Sequence, residues 1–198
     1  MLEEAGADHV ITLHLHSDQI QGFFKIPVDA LDARQIFTKH FATRQLANPI
    51  VVSPDVGGAK QAKKFADAMG TDLAILHKTR SGHHEAMIVE VAGDVNGRTC
   101  ILYDDMIDTA GTLSAARDAL LKRNAQEIIV AATHGLFSGP ALERLTEANF
   151  SEVVVTDSTP INIAFPGLTV LPIAPLLAKV IEHVESGKSV TAMYEGNS

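Results

Sequence analysis

Residues 101–113, ILYDDMIDTAGTL, carry the densest chemistry in this chain. An apolar run enters two adjacent acids, Asp104 and Asp105. A third acid, Asp108, precedes Thr109, Ala110, Gly111 and Thr112. Ala110 and Gly111 let a phosphate approach the backbone, and the threonine hydroxyls can donate to its oxygens. A helix starting near Leu113 would add unpaired N–H groups and the positive end of its dipole. Asp108 is placed to fix the loop or cap that helix. Asp104 and Asp105 sit one step back, at the tip of a strand ending at Tyr103. There they can accept hydrogen bonds from sugar hydroxyls or hold Mg2+. A phosphorylated ribose satisfies both halves of the stretch. The plainer reading is an acidic strand-to-helix turn with an Asp cap.

Other candidates are sparser. KTRSGHH (78–84) is a polar, glycine-bearing loop whose Lys78 and Arg80 are either solvated charges or cations facing a ligand. His83 and His84 in the same loop read as solvated. His14 and His16, two apart, would share one face of a strand and could bind Zn2+ or a related metal, or be structural. SPDVGG (53–58) is a strand followed by a turn. GGAKQAKK lacks the G-x-x-x-x-G-K-[ST] pattern of a Walker A loop, and Lys60, Lys63 and Lys64 fit a solvated helix face. The single cysteine, Cys100, excludes an internal disulfide framework and reads as an inert buried thiol in a reducing, cytoplasmic compartment.

These residues need a scaffold. At 198 residues, 46% hydrophobic and 20% charged, the chain is long enough for one globular domain with appendages. A net charge of -8 argues against a nucleic-acid surface, and an acidic protein handling phosphates calls for a divalent cation. No signal peptide or transmembrane run is visible, so no membrane partner is expected. Strand-like segments fall at 10–15, 49–54, 72–77, 85–93, 98–103, 127–133, 152–156 and 168–172. VNG reads as a turn between the fourth and fifth of these. Helical spacing marks 60–69, stopped by Gly70, and also 113–125, 139–148 and 176–186. SVTAMY (189–194) suggests a last strand. Continuous apolar strands alternating with helices predict an α/β fold: a central, mostly parallel sheet with helices on both faces. Ligands in such a sheet bind beyond the carboxyl ends of the strands, where ILYDDMIDTAGTL ends.

That stretch resembles the phosphoribosyl pyrophosphate signature of type I phosphoribosyltransferases and of ribose-phosphate pyrophosphokinases. HLHSDQIQGFF (14–24), IVVSPDVGG (50–58), THGLFSGPALERL (133–145) and SVTAMY are similar to the pyrophosphokinase. The resemblance spans essentially the whole chain, but only the C-terminal part of that enzyme. It implies a type I phosphoribosyltransferase-like fold. Residues 1–32 would be a remnant of a first such domain, consistent with a charged start that reads like the end of a helix. Residues 33–175 would be a complete second domain, and 176–198 a helix and strand packing toward the first.

The implied reaction moves the diphosphoryl group of ATP to the 1-hydroxyl of ribose 5-phosphate, giving phosphoribosyl pyrophosphate and AMP with Mg2+. Carried over residue by residue, Asp108, Thr109, Ala110, Gly111 and Thr112 hold the 5-phosphate. Asp104 and Asp105 meet the ribose hydroxyls and metal. His16, Gly57 and Gly58 lie in the ATP and diphosphate region, and His16, Asp55 and Asp29 are the metal-side residues. Lys78 and Arg80 are the catalytic-loop cations. A homo-oligomer, dimer or hexamer, is implied. Four positions depart from the family pattern. His14 and Lys25 replace acids, Thr79 replaces an arginine, and Tyr103 replaces a small aliphatic residue. Loss of two acids motivates a second reading, a ribose-phosphate-binding or regulatory subunit without turnover. A third reading is a nucleobase phosphoribosyltransferase.

Overall fold

The computed structural model describes residues 1–79 and 88–195. Two short parallel strands, β1 (Val10–Leu13) and β2 (Val28–Leu31), form a sheet of their own. A 3-10 turn, Asp18–Phe23, lies between them. The main sheet follows: β3 (Pro49–Ser53), β4 (Asp72–Thr79), β5 (Ile88–Ala92), β6 (Thr99–Ile107), β7 (Glu127–Gly135), β8 (Glu152–Thr156) and β9 (Leu168–Leu171). Its order is β5-β4-β3-β6-β7-β8-β9, and every neighbouring pair is parallel except β4–β5. Chain order reverses at β3/β6, so their carboxyl ends open the crevice where α/β sheets take ligands.

Alternation along the strands explains the layering. Val52, Leu102, Val130 and Val155 face one side and pack under α3 (Gly111–Leu121) and α4 (Ala141–Ala148), through Leu113, Leu120 and Leu145. Val51, Ile101, Ile129 and Val154 face the other side and meet α1 (Arg34–Ala42) and α2 (Ala59–Met69), through Phe37, Phe41 and Phe65. Burial on both faces is why these strands read as unbroken apolar runs. The predicted sheet with helices on both faces is what forms. Gly70 stops α2 in a left-handed conformation, φ 65, as expected of a C-terminal glycine.

Other expectations need correction. β5 and β6 flank the VNG turn but do not pair, because β4 and β3 lie between them. β6 does not end at Tyr103. It continues to Ile107, since β7 keeps supplying ladder partners, with Asp104 opposite Ala132 and Met106 opposite His134. Asp104 and Asp105 therefore lie within the strand, and α3 starts at Gly111 rather than Leu113. SVTAMY ends in a short helix, α6 (Ala192–Glu195), with the Ala192 N–H donating to Ser189 Oγ at 3.3 Å. β2 and α1 are not foreseen by the pattern. Before α6, α5 (Ala174–Glu185) packs Leu176 and Val180 against Leu31 and Val190, a third cluster that seats the β1–β2 sheet. Cys100 is buried, and burial pushes its thiol up to about 11, in keeping with an inert role.

Candidate functional site

The strand-to-helix connection after β6 is short and tight. Only Asp108, Thr109 and Ala110 separate Ile107 from α3. Ala110 takes φ 60, a conformation that costs a residue with a side chain about 1–2 kcal/mol. It is the residue before the first helical turn and makes no side-chain cap. Asp108 does not cap the helix either. It is exposed, and its backbone carbonyl accepts the Ser138 N–H at 3.0 Å. This loop and the start of α3 line a cavity of about 230 Å³ that also reaches Asp104. Six of the seven residues predicted to hold a ribose phosphate thus line one cavity, and the seventh, Asp105, faces a neighbouring cleft.

That cleft, about 390 Å³, is built from four separate parts of the chain. The turn after β3 delivers Asp55, Gly57 and Gly58; the first turn of α2 delivers Lys60 and Gln61; β6 delivers Asp104 and Asp105; the segment after β1 delivers His16. Asp55 folds back so that Oδ1 accepts the Gly58 N–H at 2.9 Å. A Cβ on Gly57 would stand 3.3 Å from that same oxygen, and one on Gly58 would stand 3.2 Å from Ser53 Oγ. The glycines leave room for the acid as well as for a ligand.

The acids in the cleft do not behave alike. Nδ1–H of His16 donates to Asp105 Oδ2 at 2.6 Å, and this bond raises the His16 pKa above its ordinary value. Burial opposes ionisation of Asp105, but hydrogen bonds from His16 and Asp104 outweigh it and hold its carboxyl below the usual range. Asp104 is the opposite case. Burial first, and the bond to Asp105 second, push it up to about 7. Near neutral pH the pair holds one carboxylate and one carboxyl close to half-protonated.

His14 and His16 do not share a strand face. β1 ends at Leu13, and His14 turns through φ 44. Its ring is buried, with Nδ1 2.5 Å from Thr133 Oγ1, and burial lowers its pKa. His16 remains exposed over Asp105. The tie that fixes this turn comes from β7. Nε2–H of His134 donates to the carbonyls of both Leu13 and His14, each at 3.1 Å. The sequence pattern assigns His134, within THGLFSGPALERL, no role of its own. The available signal was a polar residue ending an apolar strand at the same sheet edge as Asp104.

Asp29 does not line the cleft. It sits on β2, where its Oδ2 is 2.8 Å from His9 Nε2. Arg80 lies outside the described residues, as does the side chain of Lys78, whose backbone ends β4 opposite Val89. Among the described residues no group of three or more His, Cys, Asp or Glu is gathered to hold a metal by itself. No helix there is long and apolar enough to cross a membrane.

Residues 80–195 match the family described as phosphoribosyl synthetase-associated domain. Over 98% of its length the chain is 46% identical to a ribose-phosphate pyrophosphokinase of Helicobacter hepaticus, covering 63% of that protein. It is 42% identical to the one of Aquifex aeolicus, again over 98% of this chain and 63% of the relative. The crystal structure of phosphoribosylpyrophosphate synthetase from Mycobacterium smegmatis superposes with a TM-score of 0.83 at 47% identity, covering 94% of this chain and 61% of that one. An APRTase from Giardia lamblia shares the fold alone, with a TM-score of 0.51 and 15% identity over 71% of this chain and 76% of that one. The chain thus spans about three fifths of the length of the curated relatives it matches.

Proposed function

This chain belongs to the phosphoribosyl synthetase-associated domain family, and from that membership we propose that it is the ribose-phosphate-handling part of a ribose-phosphate diphosphokinase. One observation carries this reading: the cavity of the Asp108–Thr112 loop and the acidic cleft of His16 and Asp55 adjoin at a shared residue, Asp104. A sugar bridging the two would place its phosphate at the start of α3 and its hydroxyls on Asp104 and Asp105.

In the proposed reaction the 1-hydroxyl oxygen of ribose 5-phosphate attacks the β-phosphorus of ATP. The bond from that phosphorus to the α,β-bridging oxygen breaks, AMP leaves, and the hydroxyl proton is released. Such transfer depends mostly on positioning and charge neutralisation. The loop holds one end of the acceptor, and Asp104 and Asp105 orient its ring. Lys78 and Arg80 are assigned the charge on the transferring group. Asp55 and Asp105 line the cleft without forming a ready-made metal group, so a hard divalent ion would be held there by one or two carboxylate oxygens together with water and substrate phosphates. Mg2+ bound there would neutralise the phosphates of ATP. Asp29, paired with His9, has no part in this set.

The domain reading goes with this function. Residues 1–32 make a separate two-stranded sheet, 33–175 carry the main sheet, and Leu176, Val180 and Val190 pack against Leu31 of β2. This supports a first-domain remnant held by the C-terminal segment. A homo-oligomer and a cytoplasmic setting complete the proposal.

Isothermal titration with ribose 5-phosphate and Mg2+, with Asp108→Ala as control, tests the reading. Binding that needs Asp108 is the expected result, and absence of binding sinks the reading. His14 favours a second outcome. Buried and bonded to Thr133, it supplies no carboxylate to the cleft. Ribose 5-phosphate binding without AMP formation, even when the chain is extended to the full length of its relatives, would establish the binding-subunit reading.

A further inference from the structure

The loop that receives a phosphate is surrounded by acids, yet it must hold an anion. Its backbone shows how it is braced. The Ile107 carbonyl accepts N–H groups from Leu136 and Phe137, each at 3.0 Å. The Asp108 carbonyl accepts from Ser138, also at 3.0 Å. The Thr109 carbonyl accepts from Arg144 Nη1 at 3.0 Å. Three successive carbonyls are thus turned toward the segment joining β7 to α4 and toward α4 itself. In a trans peptide the N–H points opposite to the preceding carbonyl. The N–H groups of Asp108, Thr109 and Ala110 therefore face away from that segment, on the side of the cavity. That cavity is lined by residues of β6, the loop and α3 only.

Arg144 differs from the other two braces because it brings a full charge. Its partner in the fold is a neutral carbonyl, so the charge is delivered to the loop rather than cancelled there. The guanidinium also covers the first residue of α3. A Cβ on Gly111 would lie 3.2 Å from Nη1 and 3.8 Å from the guanidinium carbon. The cation therefore stands behind the two peptide units that a bound phosphate would meet from the front.

We propose that Arg144 is a positioning residue of the phosphate loop, fixing the Thr109 carbonyl and supplying positive charge, so that affinity for a phosphate dianion depends on it. The proposal rests on the reading of this loop as a ribose 5-phosphate site. Its effect should be confined to phosphorylated ligands and should shrink as salt screens the charge.

The experiment compares the parent chain with R144Q and R144K by isothermal titration, using ribose 5-phosphate, ribose and inorganic phosphate at two salt concentrations. Thermal melts check that each variant is folded. R144Q should weaken ribose 5-phosphate and inorganic phosphate by about tenfold at low salt, and by less at high salt. R144K should stay within about threefold of the parent, because the charge remains. Unchanged binding by folded R144Q overturns the proposal. So does R144K falling as far as R144Q, since that would make the hydrogen bond to the Thr109 carbonyl, not the charge, the whole effect. If the parent binds inorganic phosphate but not ribose 5-phosphate, the sugar reading fails, and Arg144 is judged on the phosphate titration alone. A parent that binds neither overturns both.

Discussion

The two halves of the candidate site are made in different ways. The phosphate loop is a continuous stretch between β6 and α3, so its geometry is set by adjoining elements of one strand–helix unit. The acidic cleft is assembled from the turn after β3, the start of α2, β6 and the segment after β1, drawn from distant parts of the chain. The local half brings its residues in sequence, and the β7–α4 segment and Arg144 brace it from behind. A non-local half needs braces, and His134 and Thr133 supply them from β7. The difference teaches where each half is vulnerable: the loop to changes in its own backbone and in the braces at its back, the cleft to changes at β7 that loosen the turn carrying His16.

The largest expected effect breaks the loop and spares the cleft. Ala110→Val places a β-branched side chain at φ 60, where even alanine is strained. Ribose 5-phosphate binding by titration should fall about a hundredfold, equivalent to about 2.7 kcal/mol. The raised pKa of His16, followed by NMR, should persist because its bond to Asp105 lies outside the loop. Loss of both signals would show that the halves are not independent.

His134→Ala is the converse and somewhat smaller. It leaves the Leu13 and His14 carbonyls without their shared donor, a cost of about 1–2 kcal/mol for part-buried groups. The His14–His16 turn should loosen, and the His16 pKa should fall back toward its ordinary value. Phosphate binding at the loop should change less than about twofold, well within the factor of ten that 1.4 kcal/mol represents. A His16 titration unmoved by this substitution would refute the bracing role.

The same contrast decides how much could be read before the fold was seen. The sheet was legible because strands buried on both faces, such as IIVAAT and EVVVT, are written as apolar runs. The phosphate loop was legible because its residues are contiguous. β1–β2 pairing and α1 were not, since RQIFTKHFA shows only Ile36, Phe37 and Phe41 as apolar markers and its face is defined by packing on Phe65 and Tyr103. The strand face shared by His14 and His16 failed for one reason. A histidine at φ 44 ends the strand, and no residue type nearby announces it. The extension of β6 through two aspartates was hidden because backbone pairing to β7, not side-chain hydrophobicity, sustains the strand there.

Asp104 belongs to both halves, and its titration gives the smallest but sharpest test. Folding raises its pKa from 3.8 to about 7, through burial and the neighbouring Asp105. Between those values the folded chain keeps a proton that the unfolded chain has lost, so this residue makes stability fall as pH rises through the window. Below it both states are protonated and there is no penalty; above it both are ionised and the penalty is full and constant. Asp104→Asn removes the ionisation while keeping an Oδ1 that can accept the Asp105 N–H, 2.9 Å away in the parent. The variant should melt with the parent near pH 4. At pH 8 it should melt higher by at least about 2–4 °C, the shift that about 1 kcal/mol produces in a chain of this size, since a rise from 3.8 to about 7 is worth up to about 4 kcal/mol before solvent screening. Parallel melting curves across that range would mean that Asp104 is ionised in the fold at low pH. The two halves of the site would then meet at an ordinary carboxylate rather than at a proton held by burial.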